Sequence, residues 1–174
     1  MASYLEKQFN RTNISIKDLE QTIKYLERLN KIPVDSDDFS VRSALLIAAI
    51  ISYSRPFSNN SEHDLATGKQ KFTGKEVKNL KKEIGESVIT YHDKILNLRN
   101  TAIAHSEYIN NPTQRVNEYS TGNGFLIKSR SFDILSVDLN TSIFLKLTEQ
   151  VKKIFENKLS DLHKKIQGYE IDIK

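Results

Sequence analysis

The stretch 96–106 reads Leu-Asn-Leu-Arg-Asn-Thr-Ala-Ile-Ala-His-Ser and carries the side chains that metal-free RNA cleavage requires. The guanidinium of Arg99 can clamp a phosphate through two N–H donors. The imidazole of His105 can take and return protons near neutral pH. The amide of Asn100 can orient either the phosphate or the imidazole. The RNA supplies its own nucleophile, the 2′-hydroxyl. His105 acts as general base or acid in this scheme, and Arg99 stabilises charge as the pentacoordinate phosphorus forms. The product is a 2′,3′-cyclic phosphate, so DNA cannot be cut this way. One helix alone places these groups awkwardly. Arg99 and His105 would lie roughly 120° apart in azimuth and about 9 Å apart along the axis. Two such helices crossing about a two-fold axis would bring both triplets to one cleft.

Arg followed by Asn, with His after five intervening residues, resembles the signature of the HEPN superfamily. The Tyr-Ser-Arg-Pro-Phe run at 53–57 is similar to a phrase from its abortive-infection branch. The resemblance spans roughly residues 40–106. It implies a helical, usually dimeric protein, and many of these proteins are RNA-cleaving toxins or antiviral effectors. The expected fold is therefore all-α: a HEPN-like bundle of four or five helices with a small β-hairpin insert, assembled as a two-fold dimer. Arg99, Asn100 and His105 are the expected catalytic residues, with His92, Tyr53 and Arg55 supporting them. The expected partners are an RNA substrate, a second copy of the chain, and a cognate antitoxin or other protein.

Each residue also fits a plainer role. His105 continues an apolar stripe and suits a core position or the last turn, where the helix dipole favours a cation. Arg99 can pair with a carboxylate, and Asn100 sits at the edge of the polar face. The rival reading is thus a non-catalytic HEPN-like module for dimerisation or protein interaction. A simple RNA-binding protein would need a continuous basic face.

The elements that must position these residues follow from periodicity and punctuation. The first dozen residues read as loose or as a short helix at 4–9, and a helix follows at 15–30, which Ser15 caps and Ile16, Leu19, Ile23 and Leu26 line. Pro33 ends it. The next helix starts near Asp38; over 41–54 it is apolar almost all round, which predicts a central position. Pro56 stops it. The polar loop 58–74 contains His63 and Asp64, but two ligands do not make a metal site. Residues 75–106 read as helix, broken or kinked at Gly85. Two apolar stripes lie beyond that glycine: Val88, Tyr91, Ile95, Leu98 and Ala102 on one, and Ile89, His92, Leu96, Arg99 and Ile103 on the other. Two stripes imply two surfaces to bury, one of them against a partner chain.

Pro112 breaks the pattern, and 115–135 turns β-prone around Thr121-Gly122-Asn123-Gly124, which predicts a hairpin insert over about 114–135. Arg115, Lys128 and Arg130 on it are candidate phosphate contacts, although solvated edge residues look the same. Asp138 or Asn140 then caps a last helix to about residue 167.

Composition bounds the remaining choices. At 174 residues the chain suits one domain, and 38% hydrophobic with 28% charged residues suits a folded globular protein. A net charge of +4 and a pI near 9.1 permit a nucleic-acid partner without demanding one. No cysteine is present, which excludes disulfides, thiolate metal sites and cysteine nucleophiles. The N-terminus lacks the apolar core of a signal peptide, and the most apolar run, 44–53, is too short to span a bilayer. The expected location is cytoplasmic. No glycine-rich phosphate loop, nucleophile elbow or zinc-binding helix motif appears, so the reading calls for neither cofactor nor metal.

Overall fold

Residues three and four apart along α1 (Tyr4–Asn30) form one buried stripe of Thr12, Ser15, Ile16, Leu19, Thr22, Leu26 and Leu29. Its hydroxyls bond back into their own helix. Thr12 Oγ1 donates to the Gln8 carbonyl at 2.8 Å, Ser15 Oγ to Arg11 at 2.9 Å and Thr22 Oγ1 to Asp18 at 2.9 Å. A hydroxyl satisfied this way can be buried without an orphaned donor. Ser15 therefore caps nothing, and the helix runs unbroken through the boundary expected there. The computed structural model describes residues 4–34, 37–58, 70–100, 113–116, 126–129 and 133–171, with side chains described to residue 168 and not in the two strands.

The helix extends to Tyr4 because it has a partner along its whole length. Phe9 meets the His163 ring at 6.2 Å, Glu20 meets Lys152 at 3.6 Å and Asn30 Oδ1 accepts from Thr141 Oγ1 at 2.7 Å. The two numberings run in opposite senses, so α1 lies antiparallel to α5 (Thr141–Ile171). Packing, more than intrinsic propensity, decides where a helix ends. Asn140 starts α5 by accepting from the Ser142 and Ile143 amides, both at 3.0 Å. Phe144, Leu147, Thr148, Val151 and Phe155 then form its buried face.

α2 (Phe39–Ser54) packs against α1 and ends in a 3-10 turn, Arg55–Phe57, with Pro56 at its start. Its second half is central, as its apolar surface predicts: Leu46, Ala49, Ile50 and Tyr53 are buried. Its first turns are not, and Phe39 remains 53% exposed. They lie beside the turn after α1, which Arg42 Nη1 holds through the Ile32 carbonyl at 2.6 Å and the Pro33 carbonyl at 3.0 Å.

A capping box opens α3 (Gly74–Ile84). Thr73 Oγ1 accepts from the Glu76 amide at 3.3 Å, and Glu76 Oε2 accepts from the Thr73 amide at 2.6 Å. Gly85 then breaks the helix at φ 131°, and α4 (Val88–Leu98) follows. Beyond α4, β1 (Thr113–Val116) pairs antiparallel with β2 (Leu126–Ser129), Thr113 opposite Ser129 and Val116 opposite Leu126. A second 3-10 turn, Ile134–Ser136, buries Ile134 and leads into α5. Among the described residues the architecture is a five-helix bundle, and no helix is long and apolar enough to cross a membrane.

The backbone at Gly85 lies in a region that side chains rarely adopt. Gly85→Ala should therefore destabilise by about 1–3 kcal/mol. Gly168 is helical with open space at its Cβ position, so Gly168→Ala should stabilise by about 0.5–1 kcal/mol. Thermal melts should move in opposite directions, by about 2–4 °C per kcal/mol for a chain of this size. A Gly85→Ala protein that melts with wild type would show that the break is not set by the glycine.

Candidate functional site

The buried face of α4 is a single line, Val88, His92 and Ile95, at helical spacing. It draws one member from the second apolar stripe and two from the first. Tyr91 and Leu98 flank the line on one side, Ile89 and Leu96 on the other, all partly buried against the same core. The two expected surfaces are thus one broad face, and Ile89 and Leu96 belong to this chain's own packing.

Two further bonds hold α4 in place. Tyr91 Oη donates to the Asn140 carbonyl at 2.6 Å, and Lys94 Nζ donates to the Asp138 carbonyl. The helical backbone continues through Arg99 and Asn100, the last described residues of this segment. There Arg99 Nη1 donates to Asn100 Oδ1 at 2.9 Å. Arg99 is half-buried and Asn100 exposed. The bond occupies one of five guanidinium donors. Asn100 thus contacts the guanidinium of Arg99 directly. His105, the third expected catalytic residue, lies outside the described residues.

His92 and Tyr53 occupy the core. The Tyr53 hydroxyl and His92 Nδ1 are 2.8 Å apart, and His92 is 7% exposed. The imidazole lies 4.6 Å from the Phe57 ring and 5.0 Å from Phe72, centroid to centroid. Phe144 packs edge-on to Tyr53 at 5.2 Å, and Phe155 closes on Phe57 at 6.1 Å. Burial drives the imidazole's pKa down to about 4, with the Asp93 charge opposing, and raises that of the Tyr53 hydroxyl. Both groups are therefore neutral at physiological pH.

Arg55, two residues from Tyr53, points the other way. Its Nη1 bonds Asp18 Oδ1 on α1 at 2.9 Å, with the side chain 60% exposed. Arg115 sits opposite Ile127 and Lys128 opposite Gln114 in the two-stranded ribbon, which assigns the two basic positions to opposite faces. Arg130, His63 and Asp64 lie outside the described residues. Among the described residues no group of three or more His, Asp or Glu is placed to hold a metal.

Sequence reasoning missed two features. One is a further contact of Glu76, whose Oε1 pairs with Lys158 Nζ at 3.1 Å; Lys158 also sits 5.4 Å from the Phe155 ring centroid. The Thr73-Gly74-Lys75-Glu76 spacing was the available signal for the capping box at its other end. The second is a groove beside Arg55, lined by Lys7, Arg11 and Ile14 from α1. Lys7 and Arg11 are one helical turn apart on α1, and Arg55 joins them only because the turn after α2 packs against α1. No known family model matches the chain, and no curated protein and no solved structure matches it either. The functional reading therefore rests on the residues themselves.

The buried imidazole makes stability depend on pH. The unfolded chain binds a proton at His92 near pH 6.5, the folded protein only near 4. The unfolded state thus holds more protons between those values. His92's contribution is fully present above pH 6.5 and is lost as pH falls towards 4, a change of about 3 kcal/mol. Urea unfolding across pH 4–7 should show this slope in wild type and lose it in His92→Gln. Equal slopes in the two proteins would mean that His92 is already protonated in the fold.

Proposed function

We propose that the protein is a HEPN-like endoribonuclease of the toxin or antiphage-defence type, cleaving RNA by 2′-hydroxyl attack at a composite site between two copies. The observation that carries this reading is the Arg99–Asn100 bond of 2.9 Å, made where α4 leaves the core. The guanidinium, with one donor engaged by its neighbour, has further donors that can meet phosphate oxygens, and charge placed beside the phosphate stabilises a phosphorane. The core line of Val88, His92 and Ile95 beneath it gives the site a rigid support.

In this mechanism His105 removes the 2′-proton, the 2′-oxygen attacks phosphorus and the 5′-oxygen departs with a proton. Arg99 neutralises the charge that builds on the non-bridging oxygens. No metal takes part. Two copies supply two Arg99–Asn100–His105 sets around one cleft, so the two-fold dimer is integral to the proposal. The ribbon of β1 and β2 is, in the same proposal, a peripheral hairpin insert. Ile89 and Leu96 are partly buried on this chain's own core, which leaves only their remaining exposed surface for the dimer contact.

Light scattering at low micromolar concentration should give about twice the 20.0 kDa chain mass. A clean monomer there would remove the composite site.

His105→Ala and Arg99→Ala should each abolish cleavage of single-stranded RNA while leaving the melting temperature near wild type. One general acid–base group is worth about 10² to 10⁴ in rate, and a charge-stabilising donor about 10² to 10³. The double variant should be scarcely worse than either single one, because such residues act as a unit. Wild type should cut in excess chelator and spare RNA with a 2′-deoxy at the scissile position. Cleavage of that substrate, or activity that requires magnesium, would overturn the mechanism. A large drop in melting temperature for His105→Ala would instead favour a core histidine and a non-catalytic module.

A further inference from the structure

α2 carries a second apolar face. Val41, Ala44, Ala48 and Ile51 follow one another at three- and four-residue spacing, on the side away from the buried Leu46, Ile50 and Tyr53. Val41 is 46% exposed, Ala44 is exposed, and Ala48 and Ile51 are half-buried. The helix holds one charged residue in 16, against 28% over the whole chain. That residue, Arg42, is turned to the Ile32 and Pro33 carbonyls. A helix that faces water normally carries charge on its outer side, and one that is apolar all round is built to be covered. Charge returns at the two ends of the stripe. The exposed Asp37 stands four residues before Val41, and Arg55 four residues after Ile51. Arg55 bonds Asp18 through Nη1, and its side chain stays 60% exposed.

We infer that this face is where two copies of the chain meet, α2 packed antiparallel on α2 about a two-fold axis beside Leu46. The inference supplies the contact for the dimer of the proposed function, and it rests on that reading for the two-fold assembly. The commitment to a second copy comes from the order of the residues. A two-fold contact requires that if one residue meets a second, the second also meets the first. Read outward from Leu46, the stripe meets this demand. Ala44 faces the partner's Ala48, Val41 faces the partner's Ile51, and Asp37 faces the partner's Arg55, which has the opposite charge. A parallel pairing would instead set each terminal charge on its own like. An unrelated partner places no such constraint on the sequence. The alternation of four and three is the spacing of a helix–helix seam. The two alanines at its centre let the axes approach at the close end of the usual range of about 8–10 Å. The terminal charges fix direction more than affinity, since exposed pairs contribute little.

The chain has no cysteine, so cross-linking reads the register directly. Val41→Cys and Ile51→Cys proteins, mixed, left to exchange subunits and mildly oxidised, should give a disulfide-linked dimer on a non-reducing gel. Each alone should give at least about ten times less, because the antiparallel register leaves like positions about 15 Å apart along the axis, beyond the roughly 7 Å reach of a disulfide. In a second arm, Ala44→Glu/Ala48→Glu sets like charges across the axis and should raise the dimer dissociation constant at least about 100-fold by light scattering. Its far-UV spectrum and melt show whether it folds; where it does not, the cysteine arm decides alone. Single variants that cross-link as well as the mixture overturn the inference, as does no cross-link in any of them. A folded glutamate variant with an unmoved dissociation constant overturns it too. Cleavage assayed on the same proteins separates this contact from the function. A dimer that cuts RNA in chelator and is untouched by the glutamates keeps the ribonuclease reading and loses the α2 contact. A dimer joined through α2 that cuts no RNA does the reverse.

Discussion

A hydrogen bond between two neutral side chains, Tyr53 and His92, lies at the centre of the bundle. It is surrounded by Phe57, Phe72 and Phe144, so neither polar atom has water as an alternative partner. The bond itself contributes about 1 kcal/mol, but orphaning either group would cost about 1–3 kcal/mol. The asymmetry is what confers specificity. Hydrophobic contacts tolerate rotation of a helix about its axis, whereas this bond accepts one rotation of α4 against α2. Val88 and Ile95 are then placed inward, and Tyr53, Phe57 and Phe72 close around the imidazole, with Phe144 and Phe155 of α5 behind Tyr53 and Phe57.

That rotation also decides the environment of Arg99. Seven residues make nearly two helical turns, so Arg99 falls within about 20° of His92 in azimuth. It continues the inward line just where the line reaches the end of the core. A guanidinium at this point is half-buried, tethered to Asn100 and still near solvent. One turn earlier it would be a buried charge with a large desolvation penalty. Further round the helix it would be an ordinary surface arginine.

Much of this frame was legible in the sequence, because local chemistry governs it. Gly85 marks the break, Pro56 the stop of α2 and Asn140 the start of α5. What escaped depends on contacts distant in sequence. The early turns of α1 read as a loose segment or a separate short helix until α5 is laid beside them. Tyr53 and His92 are 39 positions apart, and periodicity cannot pair them. The two stripes on α4 looked like two faces because a sequence shows spacing but not the width of the surface that receives it. A broad groove between α2 and its neighbours accepts both. At the site, Arg99 and Asn100 were legible as residue types, while their mutual bond is a side-chain contact that spacing alone does not show.

Tyr53 and Arg55 show how one short phrase divides its labour. Two residues on a helix are about 200° apart, so the run at 53–57 sends Tyr53 and Phe57 into the core and Arg55 outward to Asp18. The same division bears on which histidine can move a proton. The chain has four, at 63, 92, 105 and 163. At a pKa of about 4, His92 is protonated to roughly one part in a thousand at pH 7, and its Nδ1 is engaged by Tyr53. His163 stacks on Phe9, towards the end of the long α1–α5 pair. Of the two that remain, His105 alone follows Arg99 and Asn100 in one stretch of chain. The proposed cleavage needs a base within a few residues of the proposed phosphate clamp, and by its place in the sequence His105 is the residue to which that proposal gives the proton transfer.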